Sequence, residues 1–219
     1  MKLHLGLGLL GALALACPIS AYAQSATISG TPYEAGDLLV HLRAIGVLPE
    51  NFSSKVSVIG GHVDATDQPA PEVDLSYFIT PNFSLEAIAA TTRHNVSARG
   101  TKLGKVDVGS VWVLPPTVTL QYHLDPIGGF RPYAGIGLTV VFFYDSHAAG
   151  PTVTKAGYST AVGPTLDAGF DYALGGNWFA NFDVKQMFVS TEARINNGAI
   201  VAHTSLSPTV VGAGIGYLF

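Results

Sequence analysis

The C-terminal segment of the chain alternates in steps of two up to its last residue. Mostly apolar side chains occupy one face from Thr209 to Tyr217, glycines occupy much of the other face, and the chain ends on Phe219. This period is that of a β-strand and excludes an amphipathic helix, whose apolar positions recur about every three to four residues. A closed barrel in lipid requires such an end, because its last strand pairs with the first and presents an apolar side to the membrane.

The N-terminus has the features of an export signal. Lys2 supplies a positive charge, an apolar run follows from Leu5 to Ala16, and Ala21-Tyr22-Ala23 fits a small-x-small cleavage site. The run is shorter than the ~20 residues that a spanning helix needs. We therefore predict a cleaved signal peptide over residues 1–23, a periplasmic N-terminal segment over 24–34 and a barrel over 35–219.

Composition supports a membrane protein built from strands. The chain is 48% hydrophobic and 12% charged, with a mean hydropathy of +0.35, yet no long uninterrupted apolar run follows the signal. Alternating strands that face lipid produce this combination. The 11 lysines and arginines are scattered along the sequence, which argues against a nucleic-acid partner. The only cysteine, Cys17, lies within the signal, so the mature chain lacks disulfides and thiol chemistry.

Period-two alternation recurs in eight segments, and in the first four of them the charged residues fall on one face. An even number of alternating strands predicts an all-β fold, an eight-stranded antiparallel transmembrane β-barrel. The predicted strands cover about 37–44, 72–79, 83–90, 117–124, 130–144, 157–173, 178–189 and 207–219.

The lengths of the connections predict the orientation of the barrel. Short turns at 80–82, 125–129 and 174–177 alternate with longer links at about 46–71, 92–114, 145–157 and 190–206. Outer-membrane barrels place short turns in the periplasm and long loops outside, so both termini are expected in the periplasm. Aromatic residues cluster near the strand ends on the turn side and predict an aromatic girdle there: Tyr77, Phe83, Tyr122, Phe130, Tyr133, Tyr172, Trp178, Tyr217 and Phe219.

Four motifs resemble the outer-membrane protein W (OmpW) family of Gram-negative bacteria: residues 114–117, 130–138, 168–172 and 177–181. The resemblance extends in order from Ala35 to Phe219. It implies an outer-membrane barrel with a narrow, largely hydrophobic channel for passive uptake of small hydrophobic molecules. It also implies contact with outer-membrane lipid and lipopolysaccharide, and a C-terminal signal at Tyr217 and Phe219 that the barrel assembly machinery reads.

Eight strands enclose a space that side chains fill or that holds one small ligand, which excludes a wide aqueous pore. Inward glycines would make room for a slender solute; equally, they would relieve crowding or allow curvature. The predicted solute path consists of inward positions on several strands, above the charged residues of the barrel floor: Leu39, Gly135, Gly137, Thr139, Val141, Gly163, Val210 and Gly212.

Inward charged residues are predicted near the periplasmic turns, where they would form a polar floor. Arg131 is expected to be salt-bridged, because a charge inside a barrel persists only when it is paired. A proton relay or ion-selective role is the alternative to a purely stabilising one. The predicted floor consists of Asp37, Glu86, His123, Arg131, Asp171 and Asp183.

Pro164 falls within a predicted strand, although a closed barrel has no edge strand on which a missing N–H is harmless. It predicts a gap in the hydrogen-bond ladder beside a neighbouring strand. A gap of this kind would serve as a lateral portal to the bilayer. The alternatives are a bulge above the membrane or a single tolerated lost bond.

Catalytic and metal-binding functions have no motif in this sequence. Four histidines lie in the predicted loops, at His62, His94, His147 and His203, without metal-ligand spacing. We therefore predict no enzyme activity, no metal and no cofactor. The alternative to a channel is a structural, adhesive or receptor barrel that acts through its extracellular loops and has a filled lumen.

Overall fold

The computed structural model describes residues 31–49 and 54–219, so the predicted signal peptide lies outside the described residues. The described chain is almost entirely β-strand. In order, its strands are β1 (Leu38–Leu48), β2 (Ser54–Val56), β3 (His62–Ala65), β4 (Gln68–Thr80), β5 (Phe83–Ala90), β6 (Thr92–Thr101), β7 (Gly104–Leu114), β8 (Thr117–His123), β9 (Phe130–Ala148), β10 (Ala156–Tyr158), β11 (Ala161–Gly175), β12 (Trp178–Met187), β13 (Ser190–Ile195), β14 (Ile200–Ser205) and β15 (Thr209–Leu218).

Eight of these strands close into an antiparallel barrel, as the alternation predicts. Around the barrel the order is β1, β4, β5, β8, β9, β11, β12 and β15, and β15 pairs again with β1. The closing register places Leu39 opposite Leu218, and the Phe219 N–H donates to the Leu38 carbonyl at 2.9 Å. The last residue therefore pairs with the first strand, which confirms the expectation for this terminus.

Short turns join the barrel strands at the end that carries both described termini. Aromatic side chains project outward there, including Phe83, Tyr122 and Trp178, and form the predicted girdle. Tyr133 is an exception, because its side chain is buried inside the barrel. The prediction for Tyr133 is wrong because its odd-numbered position on β9 faces the lumen, where a phenol finds buried hydrogen-bond partners.

The predicted long loops are largely ordered strands. β6 and β7 form a hairpin above the barrel, and β10, β13, β14 and β2 form a second sheet. The hairpins fold because their apolar residues pack into one shared cluster, which gives these segments a core of their own. This cluster consists of Val96, Val108, Val111, Val153 and Ile195.

Two ladder pairings in the barrel wall are interrupted. The β5–β8 ladder ends at the pair of Ile88 and Thr117, and the β6–β7 ladder begins at the pair of Thr92 and Val113. Pro115 and Pro116 lie in this interval. In addition, the β11–β12 ladder ends at Thr165, one residue below Pro164.

Helical structure is minor in the described ranges. Residues Asn196–Gly198 form a short 3-10 turn. No helix in residues 31–49 and 54–219 is long and apolar enough to cross a membrane.

Candidate functional site

The interior of the barrel is divided into three regions along its axis. We call them the aromatic cap at the periplasmic end, the polar layer above it, and the apolar cavity at the extracellular end. Their order follows from the inward positions of β1, which run from Leu39 in the cap through His41 and Arg43 in the polar layer to Ile45 and Val47 at the cavity.

The aromatic cap closes the periplasmic end and consists of Tyr33, Leu39, Phe78, Ala173, Phe179 and Leu218. Tyr33 precedes the first strand and enters the barrel, where its ring lies 4.4 Å from the Phe78 ring and 5.7 Å from the Phe179 ring. The Arg131 guanidinium lies over the same tyrosine, 4.4 Å from the ring centroid. This arrangement has the geometry of a cation–π interaction.

Arg43 is the central cation of the polar layer. Its Nη1 lies 2.6 Å from Asp74 Oδ2, 3.2 Å from Glu72 Oε1 and 3.5 Å from Glu86 Oε1. Its Nε donates to Asn181 Oδ1 at 2.6 Å. All of these side chains are buried, so the charges are satisfied by one another rather than by water, as buried ions require.

Further ion pairs extend this network across the lumen. His41 bridges Asp74 and Asp171, with ring nitrogens 2.7 and 2.9 Å from their carboxylates. Lys185 contacts Asp183 and lies 3.5 Å from Glu72. The lumen at this depth is therefore filled by hydrogen-bonded and charged side chains.

A row of threonines borders the polar layer on its upper side. Thr117, Thr139 and Thr165 lie on neighbouring strands and are buried. The Thr117 and Thr139 hydroxyl oxygens are 2.8 Å apart, and those of Thr139 and Thr165 are 2.5 Å apart. The hydroxyls satisfy one another, so the interior changes from polar to apolar without leaving unpaired groups.

The apolar cavity lies above this row and has a volume of about 90 Å³. Its wall is formed mainly by aliphatic side chains from the barrel strands and the extracellular hairpins. Lining residues include Ile45, Ile88, Val141, Met187, Val189 and Val210. Glu72 reaches its lower side and is held there by Arg43 and Lys185.

A second apolar cavity of about 60 Å³ lies between the extracellular hairpins. It shares Val63, Val96, Tyr158 and Ala193 with the first cavity. The two cavities therefore adjoin, one lying between the hairpins and the other in the upper half of the barrel.

The predicted solute path agrees only in part with this geometry. Val141 and Val210 line the apolar cavity, and Thr139 lies just below it in the threonine row. Leu39 belongs to the aromatic cap, beneath the charges rather than above them. The depth assigned to Leu39 was wrong because it is the first inward residue of its strand.

The inward glycines allow close packing instead of hollowing the lumen. A side chain at Gly137 would collide with the Val118 carbonyl oxygen, and one at Gly163 with the Phe188 carbonyl oxygen. At Gly135 a Cβ would lie 2.7 Å from Asp167 Oδ1, and at Gly212 it would lie 2.9 Å from Ile45 Cγ2. Backbone crowding therefore explains Gly137 and Gly163, and side chains occupy the space beside Gly135 and Gly212, so close packing is the alternative that fits these positions.

Four residues of the predicted polar floor lie in the polar layer, and further charged residues join them there. Glu86, His123, Asp171 and Asp183 are buried in it. Asp37 is not, because it precedes β1 and its carboxylate accepts the Glu34 N–H in a turn at the rim. Arg131 lies with the rings of the cap, and Arg43 is the cation that three carboxylates of the polar layer surround.

Sequence reasoning left several members of the polar layer out of the predicted floor. They share inward parity with residues that were identified, so the same alternation, followed further up each strand, would have found them. These members are His41, Arg43, Glu72, Asp74, Asp167 and Lys185.

Pro164 faces outward, and its carbonyl accepts the Phe188 N–H at 2.9 Å. Because the N–H and C=O of one strand residue point to the same side, the missing donor of Pro164 faces β12. The predicted gap therefore lies at the β11–β12 seam. Gly163 packs against the Phe188 backbone just above it, which closes the seam in this structure.

The predicted loop histidines do not form a site together. His147 and His203 are exposed, whereas His94 is buried at the apolar cavity and hydrogen-bonded to Thr92 and the Thr66 carbonyl. Within residues 31–49 and 54–219, no group of three or more His, Cys, Asp or Glu side chains has a metal-binding arrangement.

The closed barrel, its lipid-facing apolar surface and its interior define a small outer-membrane β-barrel. The OmpW family model matches residues 34–219, and the chain belongs to this family.

Individual relatives agree with this assignment. The chain is 38% identical to an uncharacterized outer-membrane protein, y4mB, of Sinorhizobium fredii, over 82% of this chain and 79% of that protein. It is 33% identical to outer membrane protein W of Vibrio cholerae, over 92% of this chain and 98% of that protein. The crystal structure of OprG from Pseudomonas aeruginosa superimposes with a TM-score of 0.76 and 26% identity, covering 85% of this chain and 97% of that one.

Proposed function

We propose that this protein admits small hydrophobic molecules from the extracellular side into the apolar cavity and releases them sideways into the outer membrane. The observation that carries the proposal is the pair of adjoining apolar cavities that ends on a polar layer. Apolar walls favour an apolar solute, because such a solute leaves water on entering them.

Axial release into the periplasm is disfavoured by two barriers. A solute would first have to separate the buried ion pairs around Arg43, and then displace the rings around Tyr33. Breaking a buried pair costs about 3–5 kcal/mol. A route through the barrel wall avoids both barriers.

The two interruptions of the barrel wall are the candidate exits. Pro115 lines the apolar cavity itself, together with Ala90 and Val113 on the adjoining strands. Pro164 borders a seam that Gly163 closes. We place the exit at the Pro115 interruption, with the Pro164 seam as the alternative, because the former adjoins the cavity directly.

The alternative function is an adhesive or receptor barrel. A polar groove of about 660 Å³ on the extracellular hairpins favours it. Asp64, Arg99, Lys105 and Asp107 line this groove and provide charges of both signs. An adhesin, however, gives no reason for an apolar space beneath the hairpins.

Two classes of partner belong to the same proposal. The outward apolar faces would contact outer-membrane lipid and lipopolysaccharide, and the barrel assembly machinery would read the terminal Tyr217 and Phe219. These two aromatic rings lie 4.7 Å apart at the periplasmic rim, on the outer face of the closing strand.

Uptake by whole cells, combined with planar-bilayer conductance, tests the function. Deletion cells and complemented cells are compared for entry of a labelled hydrophobic solute across the outer membrane. We expect faster entry in complemented cells and little ion conductance, since the polar layer blocks the axis. Equal entry in both strains would refute the channel and favour the adhesive alternative.

A further inference from the structure

Two hydroxyl groups at the apolar cavity lack a hydrogen-bond partner among the described residues. They belong to Tyr158 on β10 and Thr204 on β14, and both residues line the cavity. Thr204 is 5% exposed, and its Oγ1 is buried. A buried hydroxyl without a partner costs about 1–3 kcal/mol, so such groups in native proteins call for an explanation.

The neighbouring polar groups of the cavity are satisfied within the protein. Thr191 pairs with Thr204 across β13 and β14, but its hydroxyl donates to the Ser159 carbonyl at 2.6 Å. The Thr92 hydroxyl lies 2.8 Å from His94 Nε2. At the same depth, the Thr191 hydroxyl therefore has a protein partner and the Thr204 hydroxyl has none among the described residues.

The Tyr158 hydroxyl is a hydrogen-bond donor at all physiological pH values. Burial raises the pKa of this phenol to about 12, so it keeps its proton. Its ring is held in place by stacking on Phe143, with centroids 5.4 Å apart. The same residue lines both apolar cavities, so it lies on the boundary that they share.

We propose that the cavity selects small hydrophobic molecules that carry one oxygen acceptor, such as ketones and alcohols, over hydrocarbons of the same size. Tyr158 donates to the oxygen, and Thr204 provides a second hydroxyl. This inference rests on the proposed function and narrows its solute class. The selectivity arises because an oxygenated solute satisfies buried hydroxyls that a hydrocarbon leaves unpaired.

The test compares cyclohexanone with methylcyclohexane, two solutes of similar shape and size. Entry of each labelled solute is measured in deletion cells that carry the parent, Tyr158→Phe or Thr204→Val. Both substitutions remove the hydroxyl and keep the shape of the side chain. The matched control is Tyr122→Phe, which removes the hydroxyl of an exposed tyrosine at the periplasmic rim, outside the cavity lining and both wall interruptions. Heat-modifiability on gels verifies that each variant is folded.

We expect the parent to favour cyclohexanone, and Tyr158→Phe to lower the cyclohexanone-to-methylcyclohexane ratio about fivefold, the value of one hydrogen bond. Thr204→Val lowers it in the same direction, and Tyr122→Phe leaves it unchanged. If the parent speeds both solutes equally and the folded variants keep that ratio, the selectivity is refuted while the channel stands. If the parent speeds neither solute, the proposed function fails, and the selectivity fails with it.

Discussion

The Tyr33 hydroxyl donates a hydrogen bond of 3.0 Å to Asp171 Oδ2, which ties the segment before the first strand to the inside of β11. Asp171 also contacts His41 at 2.9 Å. The N-terminal segment is thus joined to the ion-pair network, and the aromatic cap and polar layer act as one closure. This continuity is the reason why the proposed solute path does not follow the axis.

The cap predicts a graded effect of substitutions at Tyr33. Tyr33→Phe removes one hydrogen bond and should lower the free energy of unfolding by about 1 kcal/mol. Tyr33→Ala also removes a buried ring and should lower it by about 3–5 kcal/mol. Urea unfolding of the purified barrel measures both values. Tyr122→Phe, at an exposed tyrosine of the same rim, serves as the control, and equal effects at Tyr33 and Tyr122 would contradict the role of the cap.

The polar layer predicts that Arg43 is essential for stability. Arg43→Ala leaves Asp74, Glu72 and Glu86 without their shared cation and should cost about 3–5 kcal/mol in the free energy of unfolding. Arg93→Ala, at an exposed arginine of β6, should cost less than about 1 kcal/mol. Urea unfolding of both variants tests the difference. Similar small losses would show that the layer is hydrated rather than tightly paired.

The terminal residue predicts an assembly defect. Deleting Phe219 removes the N–H that pairs with Leu38 and the ring that contacts Tyr217, so the amount of folded protein in the outer membrane should fall. Phe83→Ala removes an exposed aromatic of the same rim without touching the closing strand and should assemble normally. Normal heat-modifiability and yield of the Phe219 deletion would show that the terminus has no special role.

Replacing proline by valine is expected to give different results at the two wall interruptions. Pro115→Val restores a backbone donor and should help close the proposed exit, so entry of a hydrophobic solute should slow. Pro164→Val restores a donor at the β11–β12 seam, which Gly163 already closes, and entry should stay at the parent rate. Slow entry with Pro164→Val alone would move the exit to that seam.

The sequence was most informative where one simple period governs structure. Alternation predicts the closure of the last strand against the first and the inward parity of Glu86 and Asp183, because lipid on one side and a lumen on the other select opposite side chains. Depth along a strand is less visible, so Leu39 was placed above the charges, and Arg43 was not recognised as their centre. The alternation shows which side of a strand a residue faces, but it does not show how deep the residue lies along the barrel axis.

The predictions for the extracellular hairpins and for the inward glycines failed for different reasons. Val96 and Val108 are buried only because residues from separate extracellular segments pack against them. A single sequence does not show which segments pack together. An inward glycine has two physical explanations, open space and close backbone approach, and only the folded structure distinguishes between them. At Gly137 the Val118 carbonyl oxygen leaves no room for a Cβ, so close backbone approach is the explanation.

In the proposed function, hydrophobic solutes pass through the apolar cavity. Val210 is 3% exposed and lines it on β15, and a tryptophan there would fill the space without entering the backbone contacts that make Gly137 unsuitable. The outward Val118, 48% exposed to the lipid side, gives the matched control.

The most direct measurement is therefore the rate at which a labelled hydrophobic solute enters deletion cells that carry folded Val210→Trp or Val118→Trp. We expect Val210→Trp to lower entry to the rate of cells without the protein, and Val118→Trp to keep the parent rate. Entry at the parent rate through a folded Val210→Trp barrel would contradict the proposed function.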